Sequence, residues 1–239
     1  MKILILSDIH GNLHALECVL KRIPHDFVLC CGDLVMGYPF AEECIGVIRH
    51  IGDRVCMGNH DFVIAHDRKF SPQLHNKYAH LAAELDRSAN LTRQCIGESD
   101  KSYLQNLPRE HHFEVEDVTF YMNHTIPGFS LHHYLPPDTS EQKMIDYYDG
   151  IQADILITGH THIPYVKKIG PRRLINPGSV GEPRDGDPRA CFAVFDTSTG
   201  QVELNRLTYD TSETLRVLSE LAYPKYLAHC LTHGSLPAC

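Results

Sequence analysis

Five short apolar runs rich in β-forming residues punctuate the chain, and each stops abruptly at polar residues. They cover 3–6, 27–31, 54–57, 119–122 and 154–158. Runs of this length and composition predict buried strands. Helical periods lie between the first three. Leu13, Leu16, Val19, Leu20 and Ile23 share one helix face behind Asn12, a residue suited to capping a helix start. "AEECIGVIRHI" supplies a second helix before Arg54. Strand and helix alternate over roughly the first sixty residues, which predicts a parallel α/β unit.

Ser71 and Pro72 then open a predicted helix through Arg87, and a shorter helix is expected over 101–107. Further strands are expected over 113–115, 165–168, 173–175, 191–196 and 201–207, with "TSTG" at 197–200 as a hairpin turn. Helices over 211–221 and 224–232 come next, and the tail "HGSLPAC" is expected to fray. There is no internal repeat. The expected organisation is a single domain over 1–239, with a helical insertion around 71–107 and a C-terminal helical tail around 211–239. The insertion reads equally as a lid, a subunit interface or plain packing.

Each of the five runs ends in chemically loaded residues: "SDIHGN", "GD", "GNHD", "NH" and "GHTH". In parallel sheets, ligands bind at the carboxyl ends of strands, where all five motifs fall. The polar groups are Asp8, His10, Asp33, Asn59, His60, Asp61, His124, His160 and His162. Carboxylates, imidazoles and one amide suit Mn, Fe, Zn or Ni rather than a thiolate-loving metal. Each motif alone has a bland reading: a Gly-Asp turn, a helix cap at Asn59 or Asp61, solvated loop histidines. Ordered together, each just after a strand, they point to a metal site.

Composition narrows the class. The chain has 239 residues and a net charge of −8, which argues against broad nucleic-acid binding. The nine cysteines form no C-x-x-C pair and read as reduced, mostly buried thiols. Most of the 17 histidines, including His25, His50, His75, His80, His229 and His233, read as solvated side chains. No apolar run is long enough to span a bilayer, and the short run at the start does not make a signal peptide. A cytoplasmic protein without membrane contact is expected, of unspecified oligomeric state.

The ordered set "DIH", "GDLVMG", "GNHD", a later His and "GHTH" resembles the calcineurin-like metallophosphoesterase superfamily, in its compact bacterial stand-alone branch. The resemblance runs from Ile3 to about Val180 and implies a four-layer α/β/β/α sandwich of two mixed sheets flanked by helices. It implies two divalent ions, Mn²⁺ first and Fe, Zn or Ni as alternatives. Asp8, His10 and His162 would bind one, Asn59, His124 and His160 the other, and Asp33 both. The implied reaction is phosphohydrolysis by a hydroxide bridging the metals. His60 would stabilise the transferring phosphoryl group or protonate the leaving oxygen, with Asp61 orienting its ring; the bland reading of His60 is a hydrogen bond at a helix start.

The implied substrate is a phosphodiester or phosphomonoester, nucleotide-derived ones included. "SVGEPRDGDPRA" reads either as a surface loop with internal Arg–Asp pairs or as a source of Arg184 or Arg189 for a second phosphate or a nucleotide. Two departures from the family pattern stand out. Thr125 comes after His124 where relatives often carry Gly, and Gly128 stands where an Arg often falls. His132 or His133 would have to replace that substrate contact, although exposure is expected for both. A non-catalytic interaction scaffold is the second reading, disfavoured because His60 and every ligand are kept. A phosphoprotein phosphatase is the third, disfavoured because the first Arg after "GNHD" is Arg68.

Overall fold

Alternation inside the first apolar run sets how the layers stack. In the computed structural model, which describes residues 1–69 and 79–237, β1 (Lys2–Leu6) turns Ile3 and Ile5 to one side and Leu4 and Leu6 to the other. Successive strand residues face opposite ways, so a strand apolar at every position must be covered on both faces. One cover is a second sheet and the other is helical.

The first sheet has the order β10 (Gln201–Leu207), β9 (Ala190–Asp196), β1, β2 (Phe27–Cys30), β3 (Arg54–Val55). β1, β2 and β3 are parallel, with Ile3 opposite Phe27 and Leu6 opposite Cys30. β9 and β10 form an antiparallel hairpin around the "TSTG" turn. The second sheet has the order β4 (Glu110–Val115), β5 (Val118–Asn123), β6 (Ile155–Ile157), β8 (Arg172–Asn176), β7 (Tyr165–Ile169). β5, β6 and β8 are parallel, and β4 and β7 run antiparallel at the edges.

Ile3, Ile5, Leu29, Cys31, Phe120, Met122, Ile155 and Ile157 fill the space between the sheets. The far face of the first sheet packs on α1 (Leu13–Arg22), α2 (Ala41–Ile51), α3 (Asn59–Ala65), α4 (Ala82–Cys95) and α5 (Glu98–Gln105). The far face of the second holds α6 (Glu141–Tyr147) through Met144, beside Tyr148. This is the expected four-layer α/β/β/α sandwich. α7 (Ser212–Glu220) and α8 (Lys225–His233) join α4 in a further apolar cluster around Tyr38.

Several elements depart from the reading of apolar runs. β4 begins at Glu110, not 113, because this edge strand opens on a half-buried His111 and an exposed His112, which give no apolar signal. α6 buries only Met144 and carries no apolar period. Of the helix predicted over 71–87, residues 71–78 lie outside the described residues, His75 among them. The described part, a 3₁₀ turn over Ala79–Leu81 and then α4, continues to Cys95. Its buried face is Ser88, Ala89 and Thr92, small or polar residues invisible to a hydrophobic count. The short helix predicted over 101–107 runs from Glu98 to Gln105. The tail is not frayed as far as Pro237: Gly234 takes a φ of 62°, its carbonyl accepts from Gly186 N–H at 2.9 Å, and Leu236 packs into the Tyr38 cluster. Among the described residues no helix is long and apolar enough to cross a membrane.

Candidate metal centre

The loops after β1, β2, β3, β5 and β6 meet at one edge of the two sheets. Asp8, His10 and His162 bring ligand atoms within 4.8 Å of one another, as do Asp33, His124 and His160, and as do His10, Asp33 and His60. Asn59 Oδ1 lies 3.1 Å from His124 Nε2. All seven residues expected as metal ligands are therefore brought together, and all are buried.

The backbone is bent hard to achieve this. Among the described residues, ten non-glycine positions have positive φ, and five of them are Asp8, His10, Asp33, His160 and His162. Each such conformation costs on the order of 1–3 kcal/mol and persists only where the surroundings enforce it. Asp8 Oδ2 is held by the Ser7 hydroxyl at 2.5 Å and by His160 N–H at 3.0 Å. Asp33 Oδ1 accepts from His60 N–H at 2.8 Å, at the start of α3. The other oxygen of each carboxylate, Asp8 Oδ1 and Asp33 Oδ2, is buried and accepts no hydrogen bond, and buried His160 Nε2 has no hydrogen-bond partner either.

The imidazoles are locked in matching tautomers. His10 Nδ1–H donates to the Met36 carbonyl at 2.7 Å, His124 Nδ1–H to the Cys31 carbonyl at 2.8 Å, and His162 Nδ1–H to the Glu182 carbonyl. A carbonyl only accepts, so Nδ1 of each ring carries a proton and Nε2 is the atom turned inward. His10 Nε2 and His162 Nε2 then face each other at 3.3 Å, with Asp8 Oδ1 3.2 Å from the latter. Inward-facing ring nitrogens and carboxylate oxygens at these distances repel one another unless protons or cations lie among them. Carbonyl-anchored imidazoles are the usual arrangement around bound metals. The nitrogen and oxygen donor set and its orphaned atoms thus fit divalent cations.

Protonation supports the same conclusion. Burial pushes the Asp8 and Asp33 carboxyls up, but His162 beside Asp8 and His124 beside Asp33 outweigh it and hold both below the usual carboxylate range. Burial opposes charge on His124, yet the Asp33 carboxylate carries it up to about 9. Burial pushes His160 and His162 down and His60 down to about 3. Metal-free protein therefore keeps a proton on His124 at neutral pH, and a cation must displace it. Mn²⁺ uptake is expected to release a proton, with affinity rising by up to about tenfold per pH unit between pH 7 and 9. Calorimetric titration in buffers of different ionisation enthalpy measures this directly. Because the folded value is raised, the same group stabilises metal-free protein fully below pH 6.5 and loses that effect as pH rises through about 9.

A family model described as the calcineurin-like phosphoesterase superfamily domain matches residues 1–200. The chain belongs to the calcineurin-like phosphoesterase superfamily. An uncharacterized protein of Methanocaldococcus jannaschii is 29% identical over 252 residues, covering 97% of this chain and 98% of that protein. A probable metallophosphoesterase of Methanothermobacter thermautotrophicus is 31% identical over 114 residues, 47% of this chain and 62% of the relative. The crystal structure of a metallophosphoesterase from Sphaerobacter thermophilus superposes with a TM-score of 0.80 at 27% identity, covering 98% of this chain and 99% of that one. The chain is thus a phosphoester hydrolase of a metal-dependent family, with clustered candidate ligands.

Within this phosphoesterase the second group of expected site residues divides. Asp61 does not orient the His60 ring. Its carboxylate accepts from the backbone N–H groups of Asp33 (2.8 Å), Leu34 (2.8 Å), Val35 (3.3 Å) and Gly58 (3.0 Å), tying the "GD" loop to the start of α3. Burial and the Asp33 charge push Asp61 up to about 6 against the pull of those donors. His60 Nδ1 instead lies 2.8 Å from Met36 Sδ, and its Nε2 is 3.9 Å from Asp33 Oδ2. Arg184 lines the cleft beside His10, His60 and His160, paired with Glu182 at 2.8 Å. Arg189 does not: it is half exposed, pairs with Asp187 and lines a separate surface hollow with Thr208 and Thr232.

The cleft of the phosphoesterase also holds residues that the sequence did not mark. His132 lines it, half-buried, contrary to the expected exposure, whereas His133 is exposed as expected. Of the 179–190 stretch, the second half is a surface loop with an internal Arg189–Asp187 pair, whereas 176–182 is a buried brace. Asn176 donates to the Gly159 carbonyl, Ser179 Oγ–H to the Asp8 carbonyl and Gly181 N–H to the same carbonyl. A Cβ on Gly181 would lie 1.8 Å from the Ile9 carbonyl oxygen. Asn-Pro-Gly-Ser is equally at home in a solvated turn, so only the tertiary contact distinguishes the two.

Proposed function

We propose that the chain hydrolyses phosphoesters at a dinuclear centre in which Asp8, His10 and His162 hold one divalent cation, Asn59, His124 and His160 hold a second, and Asp33 touches both. One observation carries the reading: ligand atoms from five separate loops converge, and Asp8 Oδ1, Asp33 Oδ2 and His160 Nε2 among them are buried without a hydrogen-bond partner. Bound cations would supply Lewis-acid polarisation of phosphoryl oxygens and an acidified water. Asp8 and Asp33 bring two negative charges against four positive ones, while neutral imidazoles and the Asn59 amide bring none. The residues therefore leave the centre net cationic, which suits a phosphoryl group. Manganese, iron, zinc and nickel all suit these donors.

His60 stands at the first turn of α3 with its ring facing the cleft, held in place by Met36. In this reading it contacts the transferring phosphoryl group or returns a proton to the leaving oxygen. Arg184 contacts the substrate's periphery. Bound metal measured by plasma spectrometry, together with hydrolysis of bis- and mono-p-nitrophenyl phosphate in Mn²⁺, tests the proposal. About two ions per chain and turnover of at least one ester are expected; no turnover with any of the four metals sinks it. His60→Ala is expected to lower kcat by about 10²–10⁴-fold while the metal content stays unchanged. Loss of metal in that variant would instead make His60 a ligand.

A further inference from the structure

The cleft above the metal centre has one polar side and one apolar side. His10, Asn59, His60 and His160 form the first. Leu81 and Leu85 from the insertion, Tyr226 from α8 and Leu236 from the tail form the second, with Met36 and Tyr134 between. Two of these, Tyr226 and Leu236, lie beyond the 1–200 stretch that matches the family model. The apolar wall is also braced. Leu81, Leu85, Tyr226 and Leu236 belong to the same packed cluster as Tyr38, Leu218, Leu227 and Leu231. Glu84 accepts from Tyr226 N–H at 3.3 Å, and the Arg87 guanidinium donates to the Ala222 carbonyl at 2.7 Å. The described parts of the insertion and tail are thus one packed surface.

Charge selects against a polyanion here. Among the described residues, the charged ones that line the cleft away from the candidate ligands are Glu182 and Arg184, and they pair at 2.8 Å. Their charges offset each other, so the described part of the wall offers no net positive charge to a second phosphate. An uncharged, apolar group attached to the phosphoryl group removes Leu and Tyr surface from water without stranding a charge.

We propose that this wall selects phosphoesters carrying one apolar, aryl-sized substituent, and discriminates against small polar esters and polyphosphates. The inference rests on the metal-centre reading above. The insertion and the C-terminal tail then act together as the specificity element of the enzyme.

The test uses the full chain loaded with Mn²⁺. The kcat/KM for phenyl p-nitrophenyl phosphate is compared with that for methyl p-nitrophenyl phosphate, and the binding of phenylphosphonate with that of methylphosphonate by calorimetry. A preference for the phenyl compound of about tenfold or more is expected in both. Leu236→Ala and Leu85→Ala are each expected to reduce the preference at least about threefold. Each preference is a ratio within one preparation, so partial unfolding cancels. Equal handling of phenyl and methyl compounds, or a ratio untouched by both variants, overturns the inference. So does a higher kcat/KM for ATP or diadenosine tetraphosphate than for the phenyl ester. If neither ester is hydrolysed, the phosphonate comparison still decides whether the wall discriminates, and the proposed function is decided separately by the mono- and bis-p-nitrophenyl phosphate assay with all four metals.

Discussion

Asp33→Asn is expected to strip the centre of bound metal and lower kcat/KM by about 10³-fold or more, with the fold intact. One oxygen of Asp33, Oδ2, stands between the two halves of the site, and the other is tied to the backbone. Oδ1 accepts from His60 N–H at 2.8 Å, and Oδ2 lies 3.2 Å from His124 Nε2 and 3.9 Å from His10 Nε2. Asparagine keeps the shape and the acceptor toward His60, and it tolerates the φ of 56° found here better than other side chains. What it removes is the negative charge that two cations would share. Several kcal/mol of transition-state stabilisation depend on such ions, and each 1.36 kcal/mol is a factor of ten. Metal content, kcat/KM and a thermal melt measured on the same preparation check it. A variant that still holds two ions would remove Asp33 from the ligand set.

Gly58→Ala is expected to destabilise the metal-free protein by about 3 kcal/mol or more, lowering the melting temperature by about 6–12 °C. A Cβ at Gly58 would stand 2.0 Å from Asp33 Oδ1 and 2.3 Å from Asp33 N. On the other side of the same contact, a Cβ at Gly32 would stand 2.5 Å from Gly58 N, at a φ of 103°. The "GD" and "GNHD" loops are therefore packed backbone on backbone, and neither can retreat without moving Asp33. Gly46→Ala is the control, because it lies inside α2 with nothing within 4 Å of the added carbon. Alanine there is expected to be neutral or to stabilise by about 0.5–1 kcal/mol. Equal melting shifts for the two variants would show that the contact at Gly58 relaxes freely.

The strand ends were legible because they are local. A run such as "ILIL" must be covered on both faces, and the polar residue that stops it marks the sheet's edge. The donor chemistry was legible too, since the five motifs come in order, each just after a strand. Elements that hold themselves by polar or small residues were not. β4 carries two histidines, α6 buries a single methionine, and α4 packs through Ser88, Ala89 and Thr92. Asp61 was legible as important but not in its role, because its four partners are backbone amides that no side-chain pattern encodes. Arg184 and Arg189 carry identical chemistry in one loop, and their fates diverge only through the partners they meet, Glu182 at the cleft and Asp187 outside it.

By itself, the sequence determined the strand termini and the kinds of ligand, since period and composition act over neighbouring residues; the layer order came only through the resemblance to the family. The tertiary structure alone decided which of those groups touch. Asp8 and His162 are separated by most of a domain's length of chain, yet an oxygen of one lies 3.2 Å from a nitrogen of the other. The wall of Leu81, Leu85, Tyr226 and Leu236 is likewise assembled from distant segments. Long-range packing makes such meetings, and it depends on every layer beneath them being filled.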